Sequence, residues 1–77
     1  MKTLSKGDSL ILTQKNGDIH NVIFEAETNN GVFVNFIGFG KLEIEWSKVE
    51  ILQKIIPPQV NPEGAYGATF KVIIYHN

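Results

Sequence analysis

The chain has 77 residues, 7 lysines against 8 acidic residues, no arginine and no cysteine, for a formal charge of −1. A single domain of this size is near the lower limit for folding without staples, since it buries only about 60% of its unfolded surface, and the missing thiols exclude a disulfide framework or a thiolate metal site. A near-neutral chain with scattered lysines lacks the basic footprint of a duplex DNA binder, and without arginine it lacks the rigid fork that best grips phosphate or guanine.

In chain order, Lys6-Gly7-Asp8 opens a first strand over Ser9–Gln14, with Leu10 and Leu12 on one face and Ile11 on the other. Asn16-Gly17 follows, a strong two-residue hairpin signal, because both central residues of a type I′ turn need positive φ. A second strand is expected from about Asp18 to Thr28, with His20, Val22, Phe24 and Ala26 opposite Ile19, Ile23, Glu25 and Glu27. Asn30-Gly31 repeats the turn chemistry, and the third strand, Val32–Ile37, is apolar on both faces apart from Asn35, which suits a central or covered position. Gly38-Phe39-Gly40 makes the next turn. The fourth strand alternates Leu42, Ile44 and Trp46 with Lys41, Glu43 and Glu45, placing three large apolar groups on one face and three charges on the other. Trp46-Ser47-Lys48 then reads as a short helical turn into a strand at Val49-Glu50-Ile51-Leu52.

The prolines at 57, 58 and 62 exclude an interior strand, because each lacks an N–H for the ladder. Asn61-Pro62-Glu63-Gly64 fits a type I turn. A final strand is expected from Ala68 to His76. The organisation is one domain over 1–77: strands of a small barrel over 1–56, a proline and glycine loop over 57–67, and a C-terminal strand over 68–77. A loop of that length in so small a domain is often functional.

Short strands joined by glycine turns, then a tight turn and a fifth strand, resemble the SH3-like family of small β-barrels. From Gly7 to Leu52 the pattern is most similar to Sm-like barrels, in which an asparagine-glycine turn introduces a long second strand and a short strand like Val49-Glu50-Ile51-Leu52 closes the barrel. Asn21 stands where such second strands often carry glycine, and Thr28-Asn29-Asn30 lacks the usual aspartate. The resemblance implies an all-β barrel of about five antiparallel strands plus the C-terminal strand, assembly into oligomers, and binding of RNA, nucleotides or peptides.

Candidate functional residues are few. Phe39, between two glycines, either folds back over the barrel mouth or is presented to a partner, where burying it contributes about 2 kcal/mol or more. Tyr66, flanked by Ala65 and Gly67 in the proline loop, offers a second aromatic face; with Lys41 and Lys71 these residues compose a platform on which a base could stack. Trp46 shares a face with Leu42 and Ile44, so core packing is its expected role. The pairs Glu43 and Glu45, and Glu25 and Glu27, read as the solvated side of their strands. His20 and His76 have no partner at ligand spacing, so no metal and no cofactor is expected. Ser5, Ser9 and Ser47 have no base to activate them, and no glycine-rich phosphate loop introduces a helix, so no enzyme activity is expected.

No apolar run approaches the roughly 18 residues needed to cross a bilayer, and the N-terminus lacks the apolar stretch of a signal peptide, which leads to a cytoplasmic expectation with no membrane partner. The missing arginine, with ten isoleucines and seven asparagines, points to an AT-rich genome such as that of a low-GC bacterium or its phage. The expected function is a non-catalytic, homo-oligomeric binding or adaptor protein that engages a protein partner, as a phage or bacterial inhibitor or regulatory factor would. The alternative is an Sm-like binder of a nucleotide or single-stranded RNA.

Overall fold

The structure, a computed structural model, describes residues 4–56 and 70–77. Alternating apolar and polar residues, broken by glycine and asparagine, leave these segments only one way to bury their apolar face: as strands of a common sheet. Six strands form: β1 (Ser9–Gln14), β2 (Ile19–Glu27), β3 (Gly31–Phe36), β4 (Gly40–Glu45), β5 (Val49–Ile56) and β6 (Phe70–His76). All pair antiparallel in one sheet of order β4-β3-β2-β1-β5-β6. The expected helical turn is a 3₁₀ turn at Trp46–Lys48, and no α-helix occurs among the described residues.

The expected closed barrel does not form, because the sheet stays open. β5 has two edges; β1 takes one and β6 takes the other, so none remains for β4. The last backbone bond of that edge runs from the Asn77 N–H to the Glu50 carbonyl (2.8 Å).

The core is one face of this curled sheet. Leu10 and Leu12 of β1, Val22 and Phe24 of β2, Val32 and Val34 of β3, Ile44 of β4, and Val49 and Leu52 of β5 are buried together with Leu4. Each large side chain of this set contributes about 1.5–3 kcal/mol by leaving water. Trp46 packs against the core as expected and stacks on Tyr75 (ring centroids 4.5 Å apart), whose hydroxyl donates to the Trp46 carbonyl (3.4 Å). β3 is paired on both sides, the central position expected of it.

Local geometry corrects four readings. Leu42 lies on the core face, opposite Val34, yet it is 55% exposed, because β4 is an edge strand with no neighbour among the described residues to cover the side chain. Ala26 is exposed and does not continue the face of Val22 and Phe24, because the register between β2 and β3 shifts between Phe24 and Ala26.

The Asn16-Gly17 turn is not of type I′. Asn16 keeps a negative φ and only Gly17 is positive (+95°), so the hairpin closes through a three-residue loop. The Gly17 N–H donates to the Gln14 carbonyl (2.9 Å) and the Gln14 N–H to the Asp18 carbonyl (2.8 Å). Asn16 stays in place because its Oδ1 accepts the Asp18 N–H (2.9 Å).

Gly31 is not a turn residue of positive φ either. It begins β3, its N–H donates to Thr28 Oγ1 (2.9 Å), and the corner itself is Asn29-Asn30. The strand expected from Ala68 is described from Phe70, and the proline loop lies outside the described residues.

At the entry to β1, Gly7 (φ +97°) lets Ser5–Asp8 turn, with the Asp8 N–H donating to the Ser5 carbonyl (3.0 Å). The Ser5 N–H returns a bond to Asp8 Oδ2 (2.8 Å), and Lys54 Nζ of β5 lies 3.2 Å from the same oxygen. The Ser5 N–H is the main cause holding the Asp8 carboxyl below its ordinary pKa; partial burial opposes it and Lys54 adds to it. A carboxylate whose pKa is depressed by folding stabilises the fold above its unfolded pKa, and that contribution is lost as pH falls through the folded value. Asp8→Asn is therefore expected to be less stable than wild type near neutrality, with the gap closing below about pH 4. Urea midpoints taken from about pH 6 to about pH 2 check this; a gap that persists undiminished in acid contradicts it.

Candidate binding site

An antiparallel meander brings alternate turns to the same end of a sheet. The β1–β2 and β3–β4 turns therefore lie together, and so do the residues beside them. Across this end the pairing runs Leu12 to His20 and Val22 to Phe36 to Gly40, so His20 and Phe36 stand on the core face where the core runs out. Their rings meet edge to face, with centroids 5.1 Å apart.

The β3–β4 turn projects from the same place. The Phe39 N–H donates to the Phe36 carbonyl (2.9 Å), with Gly38 at φ +90° as the third residue of a type II pattern. Gly40 is also positive (+113°), and these two glycines rotate Phe39 away from the sheet. The side chain is 93% exposed. Of its two expected positions, it takes the one presented to solvent.

The result is an open cleft of ≈ 350 Å³ lined by His20, Phe36, Phe39, Gly40, Lys41 and Leu42. A second depression shares His20, Phe36 and Phe39 and adds Ile19, Asn21 and Ile37. Ile19, Ile37, Phe39 and Leu42 are all more than half exposed, an unusual concentration for so small a surface. A third depression, beside the β1–β2 turn, is lined by Gln14, Lys15, Asn16, Ser47 and Lys48. It is lined by polar and charged residue types and holds no aromatic ring.

The four residues singled out in the sequence fare differently. Phe39 and Lys41 line one cleft. Lys41 Nζ lies 3.5 Å from Glu25 Oε1, which Lys6 Nζ also approaches at 3.8 Å, so its charge is already engaged. Lys71 is exposed on β6, the edge strand at the opposite end of the strand order from β4, and does not line the cleft. Tyr66 lies outside the described residues.

Sequence reasoning missed Ile19, His20, Phe36, Ile37 and Leu42 as members of this site. A signal for them existed: Ile19 follows the first hairpin turn and Ile37 precedes the third, and a meander juxtaposes those positions. Among the described residues, no group of three or more histidines or acids could hold a metal ion, and no helix is long and apolar enough to cross a membrane.

Comparison with family models, with curated proteins and with solved structures finds no match to this chain.

Proposed function

We propose that this is a non-catalytic binding protein that holds a protein partner against the apolar cleft at the turn end of the sheet, with Phe39 as the anchor. The observation that carries the reading is the contiguous exposure of Ile19, Ile37, Phe39 and Leu42 around the half-buried rings of His20 and Phe36. An exposed aromatic beside a preformed apolar recess is the arrangement from which a few side chains supply most of an interface's affinity.

A nucleotide or RNA strand is the second reading. Stacked bases are held by aromatic faces together with cations that follow the phosphates. Phe39 offers the face, but Lys41 is paired with Glu25 and Lys71 stands on the other edge strand. The aliphatic neighbours favour a protein.

Affinity capture with wild type and Phe39→Ala tests the proposal. The variant is expected to lose the wild-type partner while its unfolding free energy stays within about 0.5 kcal/mol of wild type, since the side chain is almost wholly in solvent. An unchanged partner under Phe39→Ala overturns it. Saturable binding of mononucleotides, cyclic dinucleotides or single-stranded RNA that weakens with salt and with Phe39→Ala would put the second reading in its place.

The finer architecture proposed is an SH3-like, Sm-like barrel that β6 has opened. The β1–β4 meander, the 3₁₀ turn and the return of β5 to β1 support it. Self-association belongs to the same proposal, because Phe70, Val72 and Ile73 of the edge strand β6 are 60%, 43% and 62% exposed. Light scattering is expected to give at least a dimer; a monomer at every concentration overturns this part.

A further inference from the structure

The cleft borders a free strand edge. β4 pairs with β3 on one side, and among the described residues no strand pairs with the other. Along such an edge, alternate residues direct their N–H and C=O outward, a ready template for an added strand. Gly40, Lys41 and Leu42 belong at once to this edge and to the cleft wall. A chain laid along β4 therefore has the apolar recess beside its own core-face side chains.

The outer face of β4 defines the rest of the partner. Lys41, Glu43 and Glu45 alternate with Gly40, Leu42 and Ile44. Lys41 is satisfied by Glu25, but Glu43 and Glu45 are exposed and make no ion pair among the described residues. Two such carboxylates, two residues apart on this edge, favour cations directly across from them, as opposite charges do in cross-strand pairs.

We propose that the partner binds by strand addition to β4, as an extended segment with apolar residues at every second position and lysine or arginine between them. Its apolar side chains follow Leu42 toward the His20–Phe36 recess with Phe39 closing over the end, and its basic side chains face Glu43 and Glu45. This inference rests on the protein-partner reading above and adds the binding mode and the partner's chemistry. Main-chain bonds to the edge supply affinity, and the alternating pockets and charges supply specificity.

Fluorescence anisotropy with synthetic peptides tests it. The probe is a fluorescein-labelled peptide of about nine residues alternating valine and lysine, a typical length for one added strand. It is compared with a valine–glutamate peptide and with a valine–lysine peptide N-methylated at alternate residues, which keeps charge and side chains but removes the outward donors. The valine–lysine peptide is expected to bind. N-methylation and Phe39→Ala should each weaken it by about tenfold or more, and the double variant E43K/E45K should exchange its preference for the valine–glutamate peptide.

N-methylation without effect overturns strand addition, leaving only attraction between a cationic peptide and an acidic edge. A preference unchanged in E43K/E45K overturns the assignment of the carboxylates. If no peptide binds while affinity capture still yields a Phe39-dependent partner, the strand-addition proposal falls and the protein-partner reading stands. If capture also shows no dependence on Phe39, both fall.

Discussion

Replacing Leu12 with alanine is expected to remove about 3–5 kcal/mol of stability. Leu12 is completely buried in β1, facing His20 on one side and Leu52 on the other, at the meeting of the strands that hold the two halves of the sheet together. Truncation loses the transfer energy of the side chain and leaves a cavity that backbone hydrogen-bonded on both sides cannot easily collapse to fill. A domain of this length has only about 4–11 kcal/mol to lose, so the variant sits near the threshold of folding. Its melting temperature should fall by well over about 10 °C. Ile19→Ala is the matched control: it removes a similar side chain that is 67% exposed, and its effect should stay within about 0.5 kcal/mol. Chemical denaturation of the two side by side checks the prediction, and comparable midpoints would mean that the core does not lie between β1 and β5.

Gly31→Ala is expected to be nearly as damaging, at about 3 kcal/mol or more, for a steric reason. A methyl group on Gly31 would fall on the Ile44 carbonyl oxygen and lie 2.8 Å from Glu45 Cα. Both are backbone atoms of β4 that cannot rotate away, so β3 and β4 have to separate. Gly17→Ala makes the useful contrast. There the added methyl meets nothing within 4 Å, and the cost is only that of holding alanine at φ +95°, about 1–2 kcal/mol. Because Gly31 holds β4 against β3, its substitution should also weaken partner binding, whereas Gly17→Ala should not. Equal losses of stability in the two variants would show that Gly31 serves as a turn residue after all.

These glycines show how far the sequence could be read. Asn16-Gly17 and Asn30-Gly31 are identical dipeptides with unrelated duties. One glycine supplies a positive φ, and the other leaves room for a carbonyl on a strand that follows it in the chain. The same holds for Leu42 and Ile44. Their alternation with Lys41, Glu43 and Glu45 correctly placed both on the core face, yet one is 55% exposed and the other 7%. A period of two reports which side of the strand a residue faces, not whether anything lies across from it.

Two flanking glycines marked Phe39 as a candidate but left it between the barrel mouth and solvent; the fold decided for solvent, with the side chain 93% exposed. Its companions come from turns separated by some twenty residues of chain, so only the meander order, and no local pattern, could have pointed to them. The platform drawn from Phe39, Lys41, Tyr66 and Lys71 was a selection by residue type. The fold sets Lys41 beside Phe39 and places Lys71 on the opposite edge strand.

By itself, the sequence determined that this protein is all-β, where the first four strands begin and end to within a residue, that Trp46–Lys48 makes a helical turn, and that Trp46 packs inward. These follow from local alternation and from residues that interrupt it. Only the tertiary structure decided that the sheet stays open, which strands lie at its edges, and that Ile19, His20, Phe36, Ile37 and Leu42 gather around Phe39. Those outcomes depend on which strand claims each free edge, here β6 claiming that of β5. That competition is among main-chain groups, which are the same in every residue but proline and so leave little mark on the sequence.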